Sequence, residues 1–485
     1  MEDKEIKRIY FVGAGGIGMA NLVRYYLRHG VPVAGYDRTE SQLTDQLTEE
    51  GAEITYADDA AAIPEAFRDP ATTLVVYTPA VPAENRILSF FRERGFEVVK
   101  RAALLGRITR STRGICVAGS HGKTTTSSMI ANILRDTEQG CTAFLGGILR
   151  NIGSNLVLQE NSRYSVIEAD EYDRSFHQLS PWTAVVTSTD PDHLDIYGDE
   201  EHYLEAFSIF TSLIKPGGNL IMHTGLKFKP DVKEGVRVYT YEGAAATDAD
   251  LRPEKGSGGS KKGHADWWAD DVRIGDGRIL FTLMGPDGLK IENLSPGVPV
   301  EINVENAVAA AAAAILAGAT PDEVRRGLAS FKGAKRRFEI WLDGRKGVED
   351  GPVIGPVLID DYAHSPNEVR ASIRSVKKLY PGKKLTVIFQ PHLYTRTRDF
   401  APDFADALSE ADEVIMPEIY PARELPIPGI STFTILNDVK SREKRYCERK
   451  DLLGLIKNSN FEILMTLGAA DIDRMLPDIK EALES

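Results

Sequence analysis

Residues 119–126 read Gly-Ser-His-Gly-Lys-Thr-Thr-Thr, directly behind the apolar run Ile115-Cys116-Val117-Ala118. A strand that enters a glycine-rich turn and leaves it as a helix opening on Lys-Thr is a phosphate cradle, so the chain must build an α/β sheet around it. Glycine lets backbone N–H groups come close to anionic oxygens, and the helix start favours negative charge. Lys123 adds a point charge, and Thr124 carries a hydroxyl that reaches a divalent cation. The longer P-loop pattern has a glycine where Val117 stands, so this is a shortened variant. The helix is expected from Thr124 to about Leu134.

A second glycine cluster lies near the start. Ile9-Tyr-Phe-Val12 runs into Gly13-Ala14-Gly15-Gly16-Ile17-Gly18, an amphipathic stretch follows to about His29, and the run from Val31 to Tyr36 ends at Asp37. This is a βαβ unit with the dinucleotide fingerprint. The fingerprint reports a backbone approach to a pyrophosphate, which UDP carries as well as NAD. Leu74-Val-Val-Tyr77 reads as another buried strand. The turn Thr78-Pro-Ala-Val-Pro82 and Asn85 then form a candidate pocket wall, because ligands of such sheets sit at the carboxyl ends of strands. The stretch from Arg101 to Arg113 reads as the exit into a second domain.

Beyond the phosphate loop, the strand Ser165-Val-Ile167 delivers Glu168-Ala-Asp170-Glu171-Tyr-Asp173. A further strand, Ala184-Val-Val-Thr187, delivers Thr189-Asp190-Pro-Asp192-His193-Leu-Asp195. Carboxylates and a histidine at two strand ends beside a phosphate loop suit a Mg²⁺–ATP site. Residues 253–263 are rich in Gly, Ser and Lys and read as a mobile loop. Asn303 and Asn306 precede an alanine-rich helix at 307–317, and capping accounts for one of them, not both. From about Ser330 the pattern changes again. Lys335-Arg336-Arg337-Phe-Glu339 leads into strands at 357–359, 385–389, 413–416 and 463–466, alternating with helices. Polar clusters follow two of them, at 360–366 and 390–398. This describes another doubly wound sheet.

A chain of 485 residues accommodates several domains with their own cores. A net charge of −13 argues against nucleic acid or a membrane surface as a general partner. Three widely spaced cysteines suggest neither a disulfide framework nor a metal site. The charged start is followed by no signal-type apolar region, and the most apolar stretch, 307–319, is too short to span a bilayer. A cytoplasmic location is expected.

Seven motifs in fixed order carry a resemblance: Gly13-Ala-Gly-Gly-Ile-Gly-Met19, Gly119-Ser-His-Gly-Lys-Thr-Thr-Thr126, Glu168-Ala-Asp-Glu171, Asp192-His-Leu-Asp195, Arg336-Arg-Phe-Glu339, Asp360-Asp-Tyr-Ala-His364 and Gln390-Pro-His-Leu-Tyr-Thr-Arg-Thr397. Over nearly its whole length the chain resembles the Mur ligases. The resemblance implies an α/β fold of three domains. A Rossmann-like domain (1–107) is followed by a P-loop ATPase-like domain (108–329) and a doubly wound Rossmann-like domain (330–485). It implies ATP- and Mg²⁺-dependent ligation of L-alanine to the lactyl carboxylate of UDP-N-acetylmuramate through an acyl phosphate, in peptidoglycan synthesis, by a monomer or homodimer.

The resemblance also distributes roles. Gly13, Gly15, Gly16, Ile17, Gly18 and Asp37, with Thr78 and Asn85, would hold the UDP part. Gly119, Ser120, His121, Gly122, Lys123, Thr124 and Thr125 would take the ATP phosphates. Thr124, Glu168 and His193 would ligate Mg²⁺, with Glu171 assisting. Asn303 and Asn306 would face the adenine, while Arg337 and Asp361 close on ATP from the C-terminal domain. His364 and Arg396 would meet the incoming amino acid or the reacting carboxyl group. Three positions depart from the family's habit: Ser365 and Ile302 stand where histidines are frequent, and Leu393 where an arginine is frequent. Other readings fit less. A ligase adding a tripeptide to the same sugar nucleotide shares most motifs. A NAD-dependent oxidoreductase leaves the phosphate loop idle, and a nucleotide switch has no use for the acids at two strand ends.

Overall fold

The computed structural model describes residues 6–159, 162–191, 194–243, 265–345, 353–422 and 424–484. The stretch 253–263, Asp192 and His193 lie outside them.

Three sheets follow one another along the chain. The first consists of β1 (Arg8–Val12), β2 (Val33–Tyr36), β3 (Glu53–Thr55), β4 (Thr73–Tyr77) and β5 (Glu97–Lys100), all parallel in the order β3-β2-β1-β4-β5. β1 and β4 are apolar and buried on both faces, as a parallel sheet covered by helices demands. The helix Ile17–Arg28 returns the chain from β1 to β2.

The second sheet has ten strands. They are β6 (Arg113–Ala118), β7 (Thr142–Leu149), β8 (Ser154–Val157), β9 (Tyr164–Glu168), β10 (Thr183–Val186), β11 (Asn219–His223), β12 (Arg237–Glu242), β13 (Trp267–Gly275), β14 (Arg278–Met284) and β15 (Lys290–Leu294). Their order is β15-β14-β13-β12-β11-β10-β6-β9-β7-β8. The stretch 267–282, strand-like in sequence, forms the antiparallel pair β13–β14 at one edge of a parallel centre. The third sheet takes β16 (Glu339–Asp343), β17 (Val357–Asp361), β18 (Leu385–Phe389), β19 (Glu413–Met416), β20 (Glu443–Tyr446) and β21 (Ile463–Leu467) in the order β16-β17-β21-β18-β19-β20. Only β16 runs antiparallel to its neighbour. The sequence-based division at 107/108 falls inside the helix Arg101–Ser111, which carries the chain from the first sheet to the second.

Cores are shared across the junctions, and this fixes the spacing of the sites. Leu22 and Val23 of the first helix join Phe144 and Leu156 of the second sheet in one buried cluster, and Asn21 Nδ2 donates to Asn155 O at 3.2 Å. At the other junction the tip of the β13–β14 hairpin reaches the end of the helix Pro366–Leu379 beside the third sheet, where Gly277 N donates to Leu379 O at 3.0 Å. The helix Ile302–Leu316 lies against the helix Lys123–Leu134, and Ala307 to Ala314 are fully buried. No helix among the described residues is long and apolar enough to cross a membrane.

Candidate active site

β6 ends at Ala118, and the next helix begins at Lys123. Gly119 (φ +141°) and Gly122 (φ +82°) make the turn between them, in backbone conformations that side-chain-bearing residues rarely adopt. Residues after β10 pin this loop. The Thr187 amide donates to Ala118 O at 3.0 Å and its hydroxyl to His121 O at 2.5 Å. The His121 amide donates to Ser188 Oγ at 2.7 Å, and the Ser120 hydroxyl to Asp190 O at 2.6 Å. Part of what Ser120 and His121 carry is therefore engaged in shaping the loop. The helix start has no side-chain cap, so the amides of its first turn, around Thr124 and Thr125, face outward for an anion.

Lys123 Nζ donates to Gly119 O at 2.6 Å and to Glu171 Oε1 at 2.7 Å. Glu171 Oε2 is equally near but lies off the hydrogen-bond direction. At 1% exposure, the Glu171 side chain needs a counter-ion, and the loop lysine is within reach. In this structure the Glu171 carboxylate neutralises Lys123.

Glu168, the last residue of β9, does meet Thr124. The Thr124 hydroxyl donates to Oε1 at 3.0 Å, and the Gly146 amide donates to Oε2 at 3.0 Å. A Cβ on Gly146 would collide with this carboxylate. Burial pushes the Glu168 pKa up, against the opposing pull of the Thr124 hydrogen bond and the Lys123 charge. A partly buried carboxylate paired with a hydroxyl fits a hard cation. Among the described residues no three His, Cys, Asp or Glu side chains cluster as metal ligands, and His193 lies outside them.

A cleft of about 360 Å³ opens between the second and third sheets, lined by His121, Asn303, Asn306, Arg337, Asp361 and His364. The helix expected at 307 begins at Ile302, so Asn303 and Asn306 stand inside its first turns and neither caps it. Their amides are coupled instead. Asn303 Nδ2 donates to Val298 O, Asn306 Nδ2 donates to Asn303 Oδ1, and Asn306 Oδ1 accepts from the Thr126 hydroxyl at 3.1 Å. The polar start of this helix is thereby tied to the phosphate-loop helix. Ile302 is 55% exposed and borders both this cleft and a second one of about 400 Å³ on the far side of His121 and Gly122.

From the third sheet come Arg337 and Asp361. Arg336 (φ +59°) and Phe338 (φ +47°) flank Arg337 in left-handed conformations, which re-aim the chain at this junction. Arg336 itself is anchored, donating to Gly468 O at 2.6 Å and Ala470 O at 3.0 Å and pairing with Asp360. Burial raises the Asp361 carboxyl, and the Arg337 charge opposes that shift.

His364 and Arg396 line different walls: His364 the cleft just described, Arg396 a neighbouring hollow with Ser365, Arg370 and Asp403. His392, which sequence reasoning left without a role, lies between their fields; burial and then the Arg396 and His364 charges push its pKa below the usual histidine range. Leu393 occupies φ +71° at the turn into the following helix.

At the first sheet, the Gly15 amide donates to Asp37 Oδ2 at 2.7 Å. Gly13 (φ +88°) leaves no room for a side chain against Thr78, whose Cγ2 would lie 2.8 Å from a Cβ there. Gly16 is exposed, and a Cβ there would meet nothing closer than Gly13 O at 3.8 Å. Ile17 is 58% exposed beside it. Asn85, expected at the ligand, is buried and already engaged: its Oδ1 caps the helix Arg86–Glu93 through the Leu88 amide at 2.8 Å, and its Nδ2 donates to Asp58. That is a structural cap.

Known proteins match this chain along nearly its whole length. The Mur ligase family catalytic domain matches residues 8–113, the Mur ligase middle domain 117–314, and the glutamate ligase domain 336–454. The UDP-N-acetylmuramate–L-alanine ligase of Phocaeicola vulgatus is 51% identical over 480 residues, covering 99% of this chain and 98% of the relative. That of Porphyromonas gingivalis W83 is 47% identical, covering 99% and 100%. Among solved structures, the UDP-N-acetylmuramate-alanine ligase of Thermotoga maritima superposes with a TM-score of 0.70 at 25% identity, covering 98% and 99%. A murein peptide ligase of Psychrobacter arcticus shares the fold at a TM-score of 0.57 and 21% identity, covering 98% and 99%.

Proposed function

The chain belongs to the Mur ligase family, and from that premise we propose that it joins L-alanine to UDP-N-acetylmuramate at the expense of ATP, a cytoplasmic step in building peptidoglycan and so in cell shape and division. The observation that carries this reading is the cleft where the Lys123 loop, Asn306, Arg337 and Asp361 meet. It joins a phosphate cradle to a hollow walled on its far side by the third sheet's residues. The full-length likeness to alanine ligases supports the choice of amino acid. The likeness to the tripeptide-type ligase extends to the fold alone.

A carboxylate does not acylate an amine in water unaided. The lactyl carboxylate would attack the ATP γ-phosphate, giving an acyl phosphate and ADP. The alanine amine would then attack that carbonyl, with phosphate as the leaving group. Lys123 would place positive charge on the β/γ-phosphates as it exchanges Glu171 for them. Thr124 and Glu168, with His193, would hold Mg²⁺, whose charge offsets that of the phosphates. Asn303 and Asn306 would orient the base, and Arg337 and Asp361 would close the cleft so that water is kept from the acyl phosphate. In this division of labour residues 1–107 hold the sugar nucleotide, 108–329 hold ATP, and 330–485 bring the amino acid.

The test is phosphate release from Mg²⁺–ATP with UDP-N-acetylmuramate, run in parallel with L-alanine and with the tripeptide. Release driven by alanine is expected. Release driven by the tripeptide alone would overturn the assignment. Within the same assay, Gly122→Ala is expected to raise KM for ATP roughly tenfold. A left-handed conformation costs a side-chain-bearing residue about 1–2 kcal/mol, and the new Cβ would sit 2.8 Å from Asn306 Oδ1. The KM for the sugar nucleotide should not move.

A further inference from the structure

In the usual fingerprint the third glycine lets the helix lie close to the strand. Here the space above Gly18 holds something else. A Cβ on Gly18 would collide with Arg101 Nη1, with the guanidinium carbon 3.2 Å away. Arg101 is the first residue after β5, so all-parallel pairing delivers it to the carboxyl edge of the first sheet, where Thr78 and the fingerprint also lie. Its side chain is half-buried.

Two cations on the same stretch of chain are engaged. Lys100 pairs with Asp173 at 2.7 Å, and Arg107 pairs with Glu97. Among the described residues Arg101 has no carboxylate or carbonyl partner. The nearest acid on the fingerprint, Asp37, accepts from the Gly15 and Thr39 amides. The helix that begins at Ile17 has no side-chain cap and no acid in its first turn. A guanidinium without a counter-ion, seated over an uncapped helix start beside the open flank of Gly16, is a place for a multiply charged anion.

We propose that Arg101 grips the diphosphate of the sugar nucleotide from the hollow that Gly18 leaves for it. The proposal rests on the sugar-nucleotide reading of the first sheet. It gives Gly18 a second purpose, the admission of a cation.

The experiment uses the full chain and its Arg101→Met, Arg101→Lys and Gly18→Ala variants, titrated calorimetrically with UDP, UMP and UDP-N-acetylmuramate, with thermal unfolding of each. Arg101→Met is expected to weaken UDP and UDP-N-acetylmuramate about 10- to 100-fold, the range of a charge-assisted bidentate contact, and UMP less. Arg101→Lys should recover part of the loss. Gly18→Ala should reproduce the loss, because it displaces the guanidinium, and adding Arg101→Met to it should cost nothing further. In turnover the KM for the sugar nucleotide should rise while the KM for ATP and the saturated kcat stay in place. A merely structural arginine would instead lower the unfolding midpoint and move all of these together.

Equal UDP affinity in Arg101→Met and the unaltered chain overturns the proposal. So does a loss confined to UDP-N-acetylmuramate, which would place the cation on the lactyl carboxylate. Absence of alanine-driven phosphate release from the unaltered chain would refute the ligase reading, and the UDP titrations would still decide the role of Arg101.

Discussion

Lys123→Ala is expected to lower kcat by about 10³-fold or more while calorimetric binding of the sugar nucleotide persists. Removal of a single preorganised charge or donor aimed at a developing anion costs on the order of 10²- to 10³-fold, and Lys123 is the cation of a phosphate loop whose backbone is already pinned by Thr187 and Ser188. The ammonium also neutralises Glu171, which is 1% exposed. Its loss leaves a buried carboxylate unpaired, and breaking such a pair costs about 3–5 kcal/mol. Stability and activity should therefore fall together in the single variant. The double variant Lys123→Ala/Glu171→Gln separates them: its unfolding midpoint should recover and its kcat should not. Recovery of turnover with stability would show that Lys123 serves only to balance Glu171.

Glu168→Gln should send the two quantities in opposite directions. The carboxylate is partly buried, and that burial holds its pKa above the ordinary value. The folded chain therefore binds a proton there more readily than the unfolded chain, and stability falls as pH rises through that raised value. The amide removes this penalty and retains an acceptor for the Thr124 hydroxyl. Without ligands, the variant should unfold at a higher temperature than the unaltered chain at neutral pH, and its stability should decline less with rising pH. In turnover, loss of the charge should lower kcat about 10²- to 10³-fold and raise the half-saturating Mg²⁺ concentration about tenfold. An unaltered Mg²⁺ dependence would remove Glu168 from the cation site.

Much of this site could be read from the residues. Glycines at 119 and 122 must turn the chain where β6 gives way to a helix, and the acids of 168–173 must follow β9, because strand, loop and helix alternate with local signatures. What could not be read depends on contacts between distant segments. Glu168 and Glu171 are three residues apart and chemically alike, yet one faces Thr124 and the other Lys123. The difference arises in the path of the chain after β9, which no local pattern encodes. Asn303 and Asn306 were legible as a pair with a purpose, but not as members of the helix, since the Ile302 to Asn306 stretch lacks the alanines that announce it. Asn85 read as part of a pocket wall after a turn rich in proline; the structure has it capping a helix through the Leu88 amide while its Nδ2 donates to the distant Asp58. Arg101 is one basic residue among several, and only the sheet order brings it over Gly18, 83 positions earlier. Ion pairs and close approaches of this kind depend on topology, which follows from the whole set of strands.

The run of alanines from 309 to 314 bears on how this chain can change over generations. Elsewhere in a core, a methyl lost from one side chain can be regained by a neighbour, so sequences drift while volume is kept. Between the helices Ile302–Leu316 and Lys123–Leu134 there is nothing to trade. Every side chain from Ala309 to Ala314 is a single methyl with no exposure. Glycine would weaken the helix by about 1 kcal/mol per position, and anything larger would wedge the pair apart. Those two helices present Asn303 and Asn306 at one start and Lys123 and Thr124 at the other. A wedge two or three turns away would thus separate base from phosphates and surface as lost ATP affinity, in a mutant whose altered residue touches no ligand. Lineages carrying this fold have few neutral steps open along that helix, and selection on the nucleotide reaches well beyond the residues that meet it.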